Sequence, residues 1–244
     1  MIKTPLTAVT LAAALAALTV SAAHADLKVV QTTRIDNPQL KAYMETMTPQ
    51  QRAQMSHSDN PLLRDGPQVS TVYLRGGKSR ADLGGMTYIT DAATHQTTII
   101  NRRKHTYSTV PTPANSAGAA SRISATVKDT GQMKVIQGHP SRRYALRATL
   151  ASQPGTIIQG DIWAAQDLPR PLLPTSGQGP YAILQDLLRK VKGFPLKTSL
   201  AVVGSPMGST TVTSSAVSVS QAPLPASLFA VPAGYAKSSG GGGE

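Results

Sequence analysis

Alternation of apolar and polar residues is the dominant pattern along this chain. The pattern begins at Leu27, Val29 and Ile35, which alternate with polar residues. The same period of two recurs in short segments separated by turn residues. Successive side chains of a β-strand point to opposite faces of the sheet, so this period predicts half-buried strands. Turns this short join antiparallel neighbours, because parallel strands need a crossover of a dozen residues or more. The sequence therefore predicts an antiparallel sheet.

The pattern predicts about ten strands in all. After the first strand they cover 69–74, 79–83, 86–90, 97–101, 105–110, 143–150, 156–165, 196–203 and 209–221. In the clearest of them, Tyr144 and Leu146 share one face while Arg143 and Arg147 share the other. Residues 119–127 are predicted to form one or two helical turns before the chain returns to the sheet.

Helical periodicity is confined to two regions. Residues 181–191 place five apolar side chains on one stripe, and Gly193 followed by Pro195 ends the helix. The members of the stripe are Ile183, Leu184, Leu187, Leu188 and Val191. Residues 38–57 carry apolar residues at helical spacing around Pro49, which predicts two short helices or one kinked helix.

So many strands with one long amphipathic helix predict a mainly β protein with helices, of the α+β class. A sheet of this size curls, and a helix laid across its concave face buries the apolar stripe, which gives a half-open barrel. We expect one such domain over residues 26–236, followed by a flexible Gly-rich tail over 237–244.

The first 25 residues predict a cleavable secretory signal peptide. Lys3 supplies the positive charge, residues 6–20 form an uncharged apolar stretch, and Ala23 and Ala25 have the spacing that signal peptidase recognises. The apolar stretch is shorter than the roughly 20 residues that span a bilayer. With no Cys in the chain, the lipid-anchoring motif is absent. We therefore expect a soluble periplasmic or secreted protein.

Composition narrows the expected partners. The formal net charge is +12, which by itself suggests nucleic acid. Export favours the anions of a bacterial envelope instead, so an anionic envelope surface is a possible partner and no nucleic acid is expected. The chain has no Cys, so neither disulfides nor thiolate metal sites form, and its stability depends on an apolar core.

Candidate catalytic chemistry is sparse. The 12 acidic residues are scattered, and neither a nucleophile elbow, a zinc-binding helix motif nor a phosphate-binding loop is present. The mature histidines fall at or beside predicted turns: His57, His95, His105 and His139. A methionine group could bind copper, but core filling or an apolar lid is the simpler interpretation: Met44, Met47 and Met55. We expect a non-enzymatic protein without a metal or another cofactor.

Several motifs occur in a characteristic order. They are 131–138 with Arg143-Tyr144, 160–168, 195–197 and 225–235. With them the chain resembles a family of secreted bacterial domains of unknown function whose fold is similar to that of LolA, the periplasmic lipoprotein carrier, and of its lipid-binding relatives. Two segments depart from that pattern, a Met- and His-containing insertion at 43–59 and a Pro-rich stretch at 169–180.

Two hypotheses of function follow. The first is a carrier that holds a lipid, an acyl chain or a lipid-modified partner between the sheet and the helix 181–191. Its cavity would be lined by Tyr144, Leu146, Ile162, Leu184 and Leu188. The second is an envelope interaction protein with a filled core, whose basic surface docks on anionic lipid, polysaccharide or a protein partner. A hydrolase would need a site that the sequence does not show, and the oligomeric state stays open.

The signal-peptide hypothesis predicts the N-terminus of the mature protein. We expect N-terminal sequencing of the protein from the soluble periplasmic or secreted fraction to begin at Asp26, because cleavage follows Ala25. A chain that retains Met1, or one that requires detergent, would contradict the hypothesis.

Overall fold

The computed structural model describes residues 26–56, 66–112, 123–150, 153–172, 188–205 and 208–238. The predicted signal peptide lies outside the described residues, as do 181–187 of the predicted long helix. Within the described ranges the chain is mainly β. In this part of the chain no helix is long and apolar enough to cross a bilayer.

The strands are β1 (Leu27–Asp36), β2 (Gln68–Arg75), β3 (Lys78–Leu83), β4 (Met86–Asp91), β5 (Gln96–Asn101), β6 (Thr106–Pro111), β7 (Ile123–Ile136), β8 (His139–Leu150), β9 (Gln153–Ala165), β10 (Phe194–Val203), β11 (Thr210–Ser220) and β12 (Ala236–Lys237). The helices are α1 (Pro38–Glu45) and α2 (Pro49–Ser56), with a 3-10 helix at Ala226–Phe229.

The described strands form one open sheet with β1 near its middle. The order is β12-β6-β5-β4-β3-β2-β1-β11-β10-β9-β8-β7. One meander runs from β1 through β6, and a second returns from β7 through β11 to pair with the other side of β1. All neighbours are antiparallel except β12, which lies parallel to β6. The prediction of a mainly antiparallel, unclosed sheet is confirmed.

The region 38–57 forms two short helices, one of the two alternatives that the sequence left open. Pro49 is the first residue of α2, where its missing N–H costs no hydrogen bond. Asn37 caps α1, because its Oδ1 accepts a hydrogen bond from the Leu40 N–H at 2.8 Å. Its Nδ2 donates to Thr210 Oγ1, also at 2.8 Å, which attaches the start of α1 to β11.

The helical turns expected at 119–127 are wrong over 123–127, where β7 already runs beside β8. Val127 lies opposite Leu146, and Ala125 lies opposite Ala148. Alternate residues of β7 thereby extend the apolar face of β8, and this burial outweighs the weak local preference for a helix.

The register places most of the apolar residues of the two meanders on one face of the sheet, which we call the apolar face, although Ile89 and Ile100 lie buried on the opposite face of β4 and β5. Val29 of β1 lies opposite Val72 of β2. On the other side of the sheet, Val212 of β11 pairs with both Ile35 of β1 and Leu200 of β10. Side chains at paired positions share a face, so the apolar face continues from one meander into the other through β1.

Two groups of buried residues make up the core. The first, the β8–β10 cluster, contains Tyr144, Leu146, Ala148, Ile158, Ile162, Ala164, Val191 and Leu200. The second, the central cluster, joins both meanders and contains Leu27, Val29, Leu74, Ala165, Leu168, Phe194, Leu196 and Ala216. The core therefore lies along the sheet, with its second group where the two meanders meet.

The C-terminal segment runs past β2 and β3 and pairs with β6 as the short edge strand β12. Arg75 and Arg80 donate hydrogen bonds to its carbonyl oxygens, the latter to Leu228 O at 2.8 Å. The Leu224 N–H donates to Asp26 Oδ2 at 2.7 Å. Lys237, where the flexible tail was expected to begin, still pairs with Tyr107, and residues 239–244 lie outside the described ranges.

Gly160 provides a test of the packing between β9 and β10. It lies between Leu146 and Leu200 in the register, and a Cβ there would come within 2.0 Å of Ser199 O. We expect Gly160→Ala to lower the free energy of unfolding by about 3 kcal/mol, because the two strands have to separate.

Gly131→Ala is the matched control. Gly131 also has a positive φ, +73°, but a Cβ would meet no atom within 4 Å. Gly131→Ala should therefore lower the free energy of unfolding only by the conformational strain, about 1 kcal/mol. Urea unfolding of both variants measures the difference, and equal losses would show that the close approach at Gly160 is not what determines its cost.

Candidate ligand-binding face

The structure brings together the three strand residues that were predicted to line a cavity. Tyr144 and Ile162 are paired across β8 and β9, and Leu146 lies one step further along the same face. All three belong to the β8–β10 cluster, with exposed fractions of 4%, 0% and 4% for Tyr144, Ile162 and Leu146. They are thus adjacent on one face and are covered by other atoms of the chain; their role in lining a cavity stays a prediction.

Part of that cover is the end of the predicted long helix. Residues 188–189 are helical, Val191 is a buried member of the cluster, and Leu188 packs against it while partly exposed. Leu184 lies outside the described residues. Leu188 and Val191, the two stripe residues that are described, thus pack on the strands, and the predicted helix across the concave face stays a prediction.

Polar contacts hold this segment in place. Lys190 Nζ donates to Ala125 O of β7 at 2.8 Å, and Arg170 Nη1 donates to Arg189 O at 2.7 Å. At Gly193, with φ +86°, a Cβ would lie 2.0 Å from Ala165 O. The segment thus passes so close to the end of β9 that only glycine fits at this turn into β10.

The apolar face has a second, less covered part on β2 to β5. Val72, Ala81, Tyr88 and Ile99 are consecutive partners across these four strands, and each is half-buried. Leu83, one step along, is 47% exposed. Burial raises the pKa of the Tyr88 hydroxyl above its ordinary value. We call these five residues the β2–β5 patch.

Sequence reasoning recognised these strands but did not single out the patch. Each strand contributes only one or two of its residues, so no local motif marks it. The available signal was the alternation itself, which assigns Tyr88 and Ile99 to one side of their strands.

A chain of hydroxyl groups closes one end of the patch. Thr90 Oγ1 lies 3.1 Å from Thr97 Oγ1, which in turn lies 2.8 Å from Thr112 Oγ1. Thr90 and Thr97 are buried, and their mutual hydrogen bonds meet the requirement that buried polar groups be paired.

The opposite face of the sheet carries the one Trp of the chain. Lys134 Nζ lies 3.9 Å from the centroid of the Trp163 ring. Lys197 and Arg143 flank Trp163 as its partners on β10 and β8. Arg143 binds both oxygens of Asp161 at 2.8 Å. We call this surface the basic face. The alternation placed Arg143 and Arg147 on one side of β8, but no local motif groups them with Lys134, Lys197 and Trp163, because these residues are distant in the chain.

The histidines and methionines show no convergence on a site within the described residues. His95 and His105 occupy hairpin turns, with φ of 51° and 52°. His139 Nδ1 lies 2.8 Å from Asp167 Oδ2. The neighbouring Ser141 Oγ donates its hydrogen bond to the His139 backbone carbonyl, so it does not contact the imidazole ring as a nucleophile paired with a histidine base would. In this part of the chain no group of three or more acidic or histidine side chains could hold a metal ion.

Of the predicted methionine group, Met44 is half-buried at the end of α1, next to a half-buried Met47. The side chain of Met55 lies outside the described residues, as does His57.

Comparison with known proteins identifies the family. The Domain of unknown function DUF4412 matches residues 65–235, so this chain belongs to that family. The family resemblance expected from the sequence is thereby confirmed. No curated protein matches the chain.

Among solved structures, the chain is similar to the crystal structure of the LolA superfamily protein NE2245 from Nitrosomonas europaea. The two share 11% identity at a TM-score of 0.32, and the match covers 85% of this chain and 90% of that one.

Truncation of two apolar side chains distinguishes the inside of the β8–β10 cluster from its rim. Ile162 is fully buried, so we expect Ile162→Ala to cost about 3 kcal/mol of unfolding free energy. Leu188 is only partly buried, and Leu188→Ala should cost about 1 kcal/mol. Chemical unfolding measures both values. A loss at Ile162 no larger than that at Leu188 would show that the cluster is not a packed core.

Proposed function

We propose that this protein is a non-catalytic binding protein that holds a hydrophobic ligand on the apolar face of its sheet. The ligand is a lipid, an acyl chain or the lipid-modified part of a partner. The observation that carries the proposal is the β2–β5 patch, where apolar side chains of one continuous face remain partly exposed. The same face is fully buried in the β8–β10 cluster.

The chemistry of the patch suits an alkyl chain. Its row of four side chains extends over about 14 Å, at roughly 4.8 Å between strands. Burial of each methylene group contributes about 0.8 kcal/mol, so even a partly covered acyl chain is held by several kcal/mol. Asn101 and Thr106 lie on the same face at one end of the patch. Asn101 Oδ1 accepts hydrogen bonds from the Arg103 and Lys104 N–H groups, so the Asn101 amide N–H and the Thr106 hydroxyl are the groups that would bind a polar head group.

The second proposed part of the site is the rim at Leu188. The curved half-barrel expected from the sequence would bring the β2–β5 patch towards the β8–β10 cluster on the concave side. A ligand between them would contact Leu188, which lies at the edge of the cluster, and Leu184, which shares the helical stripe. Export to the periplasm, as proposed from the N-terminal segment, would place this site among lipids and lipoproteins.

Binding of a fluorescent fatty acid to the mature chain tests the proposal. We expect saturable binding that falls at least tenfold in Ile99→Glu, which puts a carboxylate into the patch, and in Leu188→Glu, which puts one at the rim. An unpaired carboxylate in an apolar contact costs several kcal/mol, so ligand retention should fall before the sheet unfolds.

Thr213→Glu is the matched control, because it adds the same charge at an exposed position on the opposite face. Circular dichroism verifies that each variant keeps its sheet. The proposal is wrong if the unaltered protein shows no saturable uptake, or if the control loses binding as strongly as Ile99→Glu does.

A further inference from the structure

The basic face is wide and holds few carboxylates. On β1 and on β7 to β11, the residues described there place seven cations on the side of the sheet opposite to the apolar face, with only two acids, Asp36 and Asp161, among them. The cations are Lys28, Arg34, Lys128, Lys134, Arg143, Arg147 and Lys197. The surface is therefore strongly positive as a unit.

Three of these cations lie beside Trp163, and one of them contacts its ring. Lys134 lies over it, and Lys197 and Arg143 belong to the strands on either side. The pKa of Lys134 is lowered, first by desolvation and then by repulsion from Lys197 and Arg143. Asp161, the carboxylate beside them, already has both oxygens bound by Arg143. Within the described part of the chain, neither Lys134 nor Lys197 has an ion-pair partner, so an external anion would relieve their repulsion.

The arrangement of the cations indicates the shape of that anion. They extend across six neighbouring strands, about 24 Å, and along β1 from Lys28 to Arg34, about 20 Å. One small anion cannot reach them all, and a single extended polymer would follow only one direction. A planar array of anionic groups matches a spread in two dimensions.

Apolar groups accompany the charges. Val69 of β2 lies on this same face and is 62% exposed. It is paired with Thr32 of β1, and the same row of cross-strand partners continues through Ser215 and Lys197 to Trp163. Tryptophan and aliphatic side chains between cations are typical of surfaces that contact the head-group region of a bilayer. A polysaccharide would leave Val69 without an apolar partner.

We propose that the basic face docks the protein on an anionic phospholipid bilayer, with Lys134, Lys197 and Trp163 at the centre of the contact. The interaction goes beyond ligand binding and uses the opposite side of the sheet. It would hold the protein at a membrane while the apolar face stays accessible.

Vesicle flotation tests the inference with the mature chain. We expect binding to phosphatidylcholine vesicles that contain phosphatidylglycerol, little binding to pure phosphatidylcholine, and release at high salt because surface charges are screened. The double variant K134Q/K197Q should partition roughly thirtyfold less, from the contribution of each cation near a charged surface. Trp163 is the one Trp of the chain, so its fluorescence should shift on binding in the unaltered protein.

The control variant K41Q/K104Q loses the same charge at exposed positions in α1 and in the turn after β5, and it should bind almost normally. If K134Q/K197Q fails to fold, K128Q/R147Q replaces it, because both residues are exposed on the basic face. Equal partitioning of basic-face and control variants would overturn the inference. Tighter, Trp163-reported binding of soluble alginate than of the vesicles would overturn it too, and would assign the face to a polysaccharide.

The fatty-acid assay contains no bilayer and probes the apolar face. Loss of vesicle docking with normal fatty-acid uptake, or the reverse, therefore identifies which of the two proposals fails.

Discussion

The pairing of β1 with both β2 and β11 is the constraint on which the rest of the structure depends. It joins a meander from the first half of the chain to one from the second half, and it is where Leu27 and Val29 become fully buried. Without it, β2 and β11 would each expose a long unpaired edge, and the central cluster would lose members from both meanders. A register slip of one residue at β1 would also turn the apolar residues of one meander to the wrong face.

The same constraint separates two surfaces of opposite chemistry. Because side chains alternate across a strand, β1 and β7 to β11 present apolar side chains on one side of the sheet and charged side chains on the other. The neighbours Ile162 and Trp163 illustrate this: Ile162 is buried in the β8–β10 cluster, while Trp163 lies under an ammonium group on the opposite face. A protein that binds an apolar ligand on one face and a charged surface on the other can therefore do both with a single sheet.

Two ion pairs stabilise particular parts of the sheet. Arg80 binds Asp82 at 3.0 Å and also donates to the carbonyl of Leu228, so a strand side chain fixes the C-terminal segment. Asp129 pairs with Arg142 at 2.8 Å beside the irregular stretch of β7, and this contact lowers the pKa of the Asp129 carboxyl. The Asp129–Arg142 pair lies where the register of β7 with β8 is interrupted, whereas the Arg80–Asp82 pair lies within the regular pairing of β3 with β2 and β4.

The sequence by itself determined the strands and their faces, since a period of two is a local property of each segment. The alternation around Tyr144 and Leu146 was sufficient to predict which residues would be buried, and Ile162 followed from the same pattern in the next strand. The tertiary structure alone decided which faces meet. Residues 123–127 became a strand because β8 offered an apolar partner, against their local preference. Lys134, Arg143 and Lys197 form one group only because three strands are paired in this register. Pairing across long stretches of chain depends on the burial that the whole sheet achieves, and no local pattern contains that information.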